Sequence, residues 1–406
     1  MTIDELVRQT LRDWSGEARV PGGLADRALG RRRRAGFRAF AVAAGAIVSA
    51  AAVAVALIAY KQNPQIVQVD GDRSATVLTG PGPARDVRAD PESSPPEHLV
   101  AAYDLAVYAY STWRHEMLSD DVRVLRRTWF LYDERSGGYE RTRWAALDVA
   151  PGGRTAAVLE KLPARRVGVL GVGGGDVRWI DLDQPAGGVS WSPDGRRLLL
   201  TNYDGDPTVV GIIDSGGSER TPPNSRTGFT VVDVDSGRAA FREVAWAGMP
   251  RERGMDFRWS TDGTLVWERG HSAAEPKKFY DLVGKAQPVP ERERHGSSQE
   301  AGLSPSGRWL ADDYASLAIT DTQGSRSTPL QRGVAGHLVE RLVAWADDDH
   351  LIAWACELNG AAGCAGSEFR SRLVVIGRDG TSLVPLTGFQ EHSQRPGAWE
   401  PLLSRR

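Results

Sequence analysis

Seven histidines and two cysteines are the side chains of this 406-residue chain best suited to metal or nucleophilic chemistry, and their spacing argues against both. The histidines stand at 98, 115, 271, 295, 337, 350 and 392, with no i, i+4 pair, so no helix face offers two imidazoles to a metal. Cys356 and Cys364 lack a Cys-x-x-Cys spacing and a histidine pair nearby. A disulfide closing a short Gly/Ala-rich loop is expected of them, with two free thiols as the alternative. Gly270-His-Ser-Ala-Ala274 approaches a nucleophile elbow but lacks its closing glycine. Gly171-Val-Gly-Gly-Gly175 is followed by another strand-like run, 177–180, where a dinucleotide loop requires a helix, so it reads as a hairpin turn. The acids at Asp204-Gly-Asp206 and Asp347-Asp-Asp349 miss the full calcium-loop pattern and read as turn residues. No catalytic, cofactor-binding or metal-ligating residue is therefore assigned, and no cofactor is expected.

Such residues would have to be positioned by a scaffold that the chain spells out five times. The phrase appears as Val149-Ala-Pro-Gly-Gly-Arg154, Trp191-Ser-Pro-Asp-Gly-Arg196, Trp259-Ser-Thr-Asp-Gly-Thr264, Leu303-Ser-Pro-Ser-Gly-Arg308 and Trp345-Ala-Asp-Asp-Asp-His350. The copies lie 42, 68, 44 and 42 residues apart, a period suited to one four-stranded propeller blade, with one insertion. Within each copy Pro151, Pro193 or Pro305 presets φ, and Asp194, Asp262 or Asp348 bonds the local backbone. Gly153, Gly195, Gly263 or Gly307 accepts the positive φ of the turn. The apolar runs that follow, 198–201, 265–267, 309–311 and 351–354, read as buried inner strands, and 177–183, 229–235, 318–321 and 373–377 as outer strands. Trp191, Trp259 and Trp345 share one repeat position and read as packing between blades, with sugar stacking as the alternative.

This combination of turn, apolar strand and later acid-Gly turn resembles the WD40-like blades of TolB-type β-propellers, found also in the non-catalytic domain of prolyl oligopeptidases. The resemblance spans roughly residues 100 to 390. It implies a module that binds proteins or peptides, and it transfers no site residue. Residues 105–110, 129–132 and 139–144 read as a further blade without the phrase, giving an all-β propeller of about six four-stranded blades. Seven follow if the tail from Phe389 supplies a closing strand. The insertion from Asp204 to Arg226 and the loop from Gly360 to Ser367 are the expected binding surfaces.

Ahead of the repeats, residues 39–60 form an uncharged run of 22 residues, long enough as a helix to cross a bilayer. Arg31 to Arg34 and Arg38 precede it directly, which places the N-terminus in the cytoplasm and the propeller outside the cell membrane. A cleaved signal ending near Ala54-Val-Ala56 is the competing reading. The division expected is a cytoplasmic amphipathic and basic head (1–38), a single transmembrane helix (39–60), a Pro-rich extracellular tether (61–98) and the propeller (99–406). The head carries +4 and the remainder −6, and an acidic exterior domain has no reason to bind nucleic acid. The scarcity of Lys against Arg points to a GC-rich, actinobacterial type of genome.

Residues 2–30 carry a capping box at Thr2 and Glu5 with apolar residues at helical spacing. They resemble the N-termini of some actinobacterial membrane proteins associated with sigma factors, which implies a cytoplasmic regulator as partner. An interfacial helix on the inner leaflet is the plainer reading. The function expected is a single-pass membrane protein whose exterior propeller binds a protein or another ligand without catalysis. The alternatives are an envelope sensor whose head engages a sigma factor or other regulator, and an exterior hydrolase or lyase working in the propeller channel.

Overall fold

The structure is a computed structural model in which residues 86–119, 122–211, 226–244, 255–272, 275–294, 301–312, 317–324, 327–330, 337–357, 370–391 and 395–406 are described. The chain divides into two compact units, Met1–Gly71 and Asp72–Arg406, and every described residue belongs to the second. The expected head, membrane span and most of the tether lie outside the described residues, and among those described no helix is long and apolar enough to cross a membrane.

The described unit is nearly all β, with one 3-10 turn at Glu291–Glu293. Strands β1 (Val87–Arg88), β2 (Ala101–Ala102), β3 (Leu105–Ser119), β4 (Val122–Asp133) and β5 (Gly138–Arg141) come first. A meander of β6 (Ala146–Val149), β7 (Thr155–Leu159), β8 (Ala164–Gly171) and β9 (Arg178–Trp191) follows. The second half of β9 then pairs with β10 (Arg197–Tyr203), so one strand ends a four-strand group and begins the next. Pro185 interrupts it midway, and the Asn202 amide donates to the carbonyls of Gln184 (3.0 Å) and Pro185 (3.2 Å) where the ladder shifts. After β11 (Val209–Gly211), β12 (Arg226–Asp233) and β13 (Ala239–Glu243) complete that group.

Three more groups repeat the plan. They are β14 (Arg258–Trp259), β15 (Val266–Ser272), β16 (Glu275–Tyr280) and β17 (Ala286–Gln287); then β18 (Trp309–Asp312), β19 (Ala318–Asp321) and β20 (Ser327–Pro329), with Leu303 bridged to Leu310; then β21 (His337–Trp345), β22 (His350–Glu357), β23 (Arg370–Gly377) and β24 (Leu383–Pro385), with β25 (Gln390–Glu391) also on β23. The last strand, β26 (Trp399–Arg405), pairs antiparallel with β3, from Trp399 opposite Thr112 to Arg405 opposite Leu105. First and last strands thus share a sheet, and the sheets form a propeller-like ring. The tail does supply a closing strand, but it completes the first group rather than adding another.

The runs expected as inner strands are the second strand of each group, paired on both sides, as β10 is with β9 and β12. That double pairing, with both faces covered, is why 198–200 and 351–355 are wholly apolar. The strands expected as outer fall third in their groups, except that 177–183 falls in β9, a fourth strand. Residues 86–98, at the end of the expected tether, have partners of their own. Val87 is 1% exposed and pairs with Ala102, the Asp90 carboxylate caps the backbone N–H groups of Glu97 and His98, and Gly388 N–H donates to Ser93 O at 2.8 Å. Residues 86–98 therefore belong to the folded ring, because they carry the partners that a free linker lacks.

The five phrases are the turns between first and second strands. Gly153, Gly195, Gly263 and Gly307 have φ of 69°, 68°, 70° and 75°. In each, the glycine N–H bonds the carbonyl three residues back, and Ser192, Ser260 and Ser304 bond across the turn to residues 197, 265 and 309. Asp194 and Asp262 each accept the serine hydroxyl and an N–H two residues on. The fifth copy is one residue shorter, closing from Ala346 N–H to His350 O, and needs no glycine. The tryptophans join neighbouring groups by one repeated bond. The indole N–H of Trp191 donates to Asp148 O (3.2 Å), that of Trp259 to Ser190 O (3.4 Å) and that of Trp345 to Gly302 O (3.0 Å).

Turns also touch their neighbours. A Cβ at Gly263 would stand 3.0 Å from Pro193 Cδ, whereas one at Gly195 would stand 3.6 Å from Pro151 Cδ. Both alanine substitutions strain the backbone by about 1 kcal/mol, and only the first also crowds a rigid ring. Gly263→Ala is thus expected to lower the melting temperature more than Gly195→Ala. Equal losses in thermal denaturation of the purified chain would show that contact between turns adds nothing.

Candidate functional site

Strands β3 and β4 run to 15 and 12 residues, well past the sheet they share with β26 and β5. The far end of β4 is met by β11, which begins the insertion: Val209 stands opposite Val124, Val210 opposite Arg123 and Gly211 opposite Val122. Leu125 N–H donates to Thr208 O at 2.9 Å, Asp206 holds Thr208 through its hydroxyl and N–H, and Val124 is wholly buried. The start of the insertion is therefore a strand rather than the free binding loop expected between Asp204 and Arg226. Residues 212–225 and 358–369 lie outside the described residues, and with them the second expected surface, Gly360 to Ser367.

Strand β4 and residues 206–208, which lead into β11, bound a cavity of about 820 Å³. Its floor takes Leu402 from β26, Asp148 from β6 and Gly188 to Ser190 from β9, so first strands of three groups converge on it, and Asp256 joins them. The opposite wall holds Arg127 and Trp129 of β4 with Asp206 to Thr208. A second cavity of about 560 Å³ shares Leu125, Arg127, Trp129 and Leu402 with the first.

Two carboxyls in the larger cavity are perturbed. Burial pushes Asp148 up to about 6 although the backbone N–H groups of Trp191, at 2.7 Å, and Val149 favour its charged form. Burial likewise raises Asp256, against the pull of the Tyr203 hydroxyl at 2.8 Å and of Arg258 and Arg226. Gly188 makes room for Asp256, since a Cβ there would stand 2.3 Å from the carboxylate oxygen. On the basic side, Arg341 is paired with Glu400 at 2.7 Å, and Arg127 donates to Ser111 Oγ at 3.0 Å.

The turn residues Pro151, Gly153, Pro193, Asp194, Gly195, Asp262, Gly263, Pro305, Gly307 and Asp348 do not line these cavities. They build the ring; Asp348, for instance, accepts the Ser306 N–H at 2.9 Å from the neighbouring turn. Cys356 is fully buried in β22 and disulfide-bonded, and Cys364, the other cysteine, lies outside the described residues. Gly171 to Gly175 form the β8–β9 hairpin, with positive φ at Gly173, Gly174 and Gly175. Asp347 bonds His350 and Asp349 pairs with Arg378, as turn acids do. Among the described residues no group of three or more His, Cys, Asp or Glu is placed to hold a metal ion.

Sequence reasoning passed over Asp148, Gly188, Asp256 and Arg127. One signal was present. The residue just before each copy of the phrase changes from Asp148 to Ser190, Arg258, Gly302 and Ala344, while the next position stays apolar. Alternation along a strand sends that variable side chain to the opposite face.

The raised carboxyl of Asp148 makes stability depend on pH. Between 3.8, its unfolded value, and about 6 the folded chain holds more protons than the unfolded one. The residue's contribution is therefore most favourable below that window and is lost as pH rises through it. Asp148→Asn keeps an acceptor for Trp191 and removes the charge. The variant is expected to gain on the wild type from pH 4 to pH 7.5, by up to about 3 kcal/mol. Denaturant melts at the two pH values decide it; a larger loss at pH 7.5 than at pH 4 would contradict the burial of this carboxyl.

No family model matches the sequence, and no curated protein sequence matches it. Among solved structures it is similar to TolB from Acinetobacter baumannii, at 14% identity and a TM-score of 0.39, over 73% of this chain and 66% of that one. This chain thus spans just under two thirds of that TolB. An oligogalacturonate lyase from Vibrio parahaemolyticus gives 10% identity and a TM-score of 0.38, over 79% and 85% of the two chains. The C-terminal WD40 domain of Sif2 gives 12% and 0.34, over 74% and 90%.

Proposed function

We propose that the chain is a single-pass membrane protein whose exterior six-bladed propeller, closed by β26, binds a protein or peptide partner in the cavity beneath β4 and β11, without catalysis. The observation that carries this reading is the bridge itself. The segment leading into β11 crosses from one group to the β3–β4 hairpin of another, and its residues 206–208 line about 820 Å³ over the converging first strands, with aromatic, acidic and basic side chains around it. A rigid rim with a mixed polar and apolar lining suits recognition of a chain segment. The Arg asymmetry around residues 39–60 supports the anchor and its orientation.

A second reading, an exterior hydrolase or lyase, draws support from Asp148 and Asp256, two carboxyls raised by burial in one cavity, as general acids are. Against the binding reading it makes a different demand, namely turnover that Asp148→Asn abolishes.

The test is photo-cross-linking from position 125, on the cavity wall, in cells carrying the full chain. One discrete partner is expected, lost in Val210→Pro, since proline cannot donate across the β4–β11 ladder. Labelling unchanged by that substitution, or no labelled partner, would reject the cavity as the docking place. For topology, protease added to wall-stripped cells is expected to remove residues 86–406 and leave the head. A protected propeller would reverse the orientation, and a soluble chain starting near Leu57 would mark a cleaved signal instead.

A further inference from the structure

The smaller cavity has an unbalanced charge at its centre. Arg127 lines both cavities and is exposed into them, and its one hydrogen bond among the described residues goes to the buried Ser111 hydroxyl at 3.0 Å. Glu400, whose charge it feels, is already engaged by Arg341 at 2.7 Å. Two guanidinium groups thus share one carboxylate. His115 lines the same cavity, and burial and Arg123 hold it below the usual histidine range, so the positive charge there rests on arginine. Trp113 and Trp129 stand on the same wall, and the Trp129 indole N–H is spent on Ala145 O at 3.1 Å, which leaves its ring as an apolar flank.

A guanidinium carries five donors in a planar fork that matches a carboxylate two bonds at a time. With one donor on Ser111, the rest of the Arg127 fork is open to a ligand between aromatic walls. Resting on the reading of these cavities as the binding place, we propose that Arg127, oriented by Ser111 and flanked by Trp113 and Trp129, is a subsite for a carboxylate of the bound segment. An acidic side chain and a C-terminal carboxylate present the same group, and either satisfies the site.

The test uses the full chain in detergent and three small probes followed by ligand-observed NMR titration. N-acetyl-tyrosine and N-acetyl-tyrosinamide differ only in the terminal carboxylate; N-acetyl-glutamyl-tyrosinamide carries its acid on the side chain. At least one acid is expected to bind tenfold or more tightly than the amide, and which one names the source. Arg127→Gln is expected to erase that preference, Arg127→Lys to retain part of it, and Arg378→Gln, remote beside Trp309, to leave it intact. Equal binding of acids and amide, a preference that survives Arg127→Gln, or no binding of any probe by folded wild type overturns the proposal. Should Arg127→Gln not fold, as judged by circular dichroism, Ser111→Ala is read instead, and an unchanged preference there also overturns it. A cross-linked partner without carboxylate preference sinks this subsite alone, whereas carboxylate preference without a cross-linked partner sinks the macromolecular reading alone.

Discussion

Closure of the ring by the last strand is the contact on which every other part rests. A row of sheets leaves two open edges unless its ends meet, and open edges expose unpaired N–H and C=O groups. Here the ends meet through seven register pairs between β26 and β3. Trp399 packs edge-on against Trp354 at 5.1 Å and Tyr110 at 5.8 Å, and donates its indole N–H to Ser94. Beyond the strand, Arg406 reaches back to Tyr103 O and to both the backbone and carboxylate of Asp86. Tyr103 holds a φ of 53°, rare for a non-glycine residue, and its ring stacks on His350 at 3.9 Å. The seam therefore ties the first group to the last, and residues some 300 positions apart in sequence must meet before the ring is whole.

Neighbouring groups are held by two different kinds of contact. The repeated indole bond from Trp191, Trp259 and Trp345 is neutral and cheap to desolvate, and it recurs because its acceptor is a backbone carbonyl that any residue supplies. Between the third and fourth groups an ionic contact is added to the Trp259 bond. Arg226, buried, pairs with Glu268, which also accepts the Tyr280 hydroxyl, while Arg226 lies over the Phe257 ring at 4.2 Å and donates to Met255 O. Such a pair is costly to bury and damaging to break, so its value lies in geometry: Glu268, Met255 O and the Phe257 ring, from two segments, fit one guanidinium in one arrangement. Lys277 and Glu293, at 2.8 Å, tie the 3-10 turn down in the same way.

The cavities gather what the ring excludes elsewhere. Their floor comes from first strands, which have a neighbour on one side only within their groups, and two buried carboxyls stand there. Asp148 and Asp256 are pushed towards neutrality at one end, and Arg127 stands with an open fork at the other.

The turn phrase made the ring readable from sequence, because proline, aspartate and glycine at fixed offsets leave a tight turn few alternatives, and an apolar run after each turn fixes a buried strand. Gly195, Gly263 and Gly307 take the same φ for that local reason. The site was not readable in this way. Asp148 and Asp256 lie 108 residues apart, and each looks ordinary in its own segment. Likewise the insertion read as a loop because a three-residue strand such as Val209–Gly211 has no signature of its own; its partner β4 lies some 85 residues upstream. Local chemistry, repeated, determined the architecture. The closing strand, the bridge and the charged cavity were decided only when distant segments met, since pairing across a ring depends on which edges remain open after the local turns have formed.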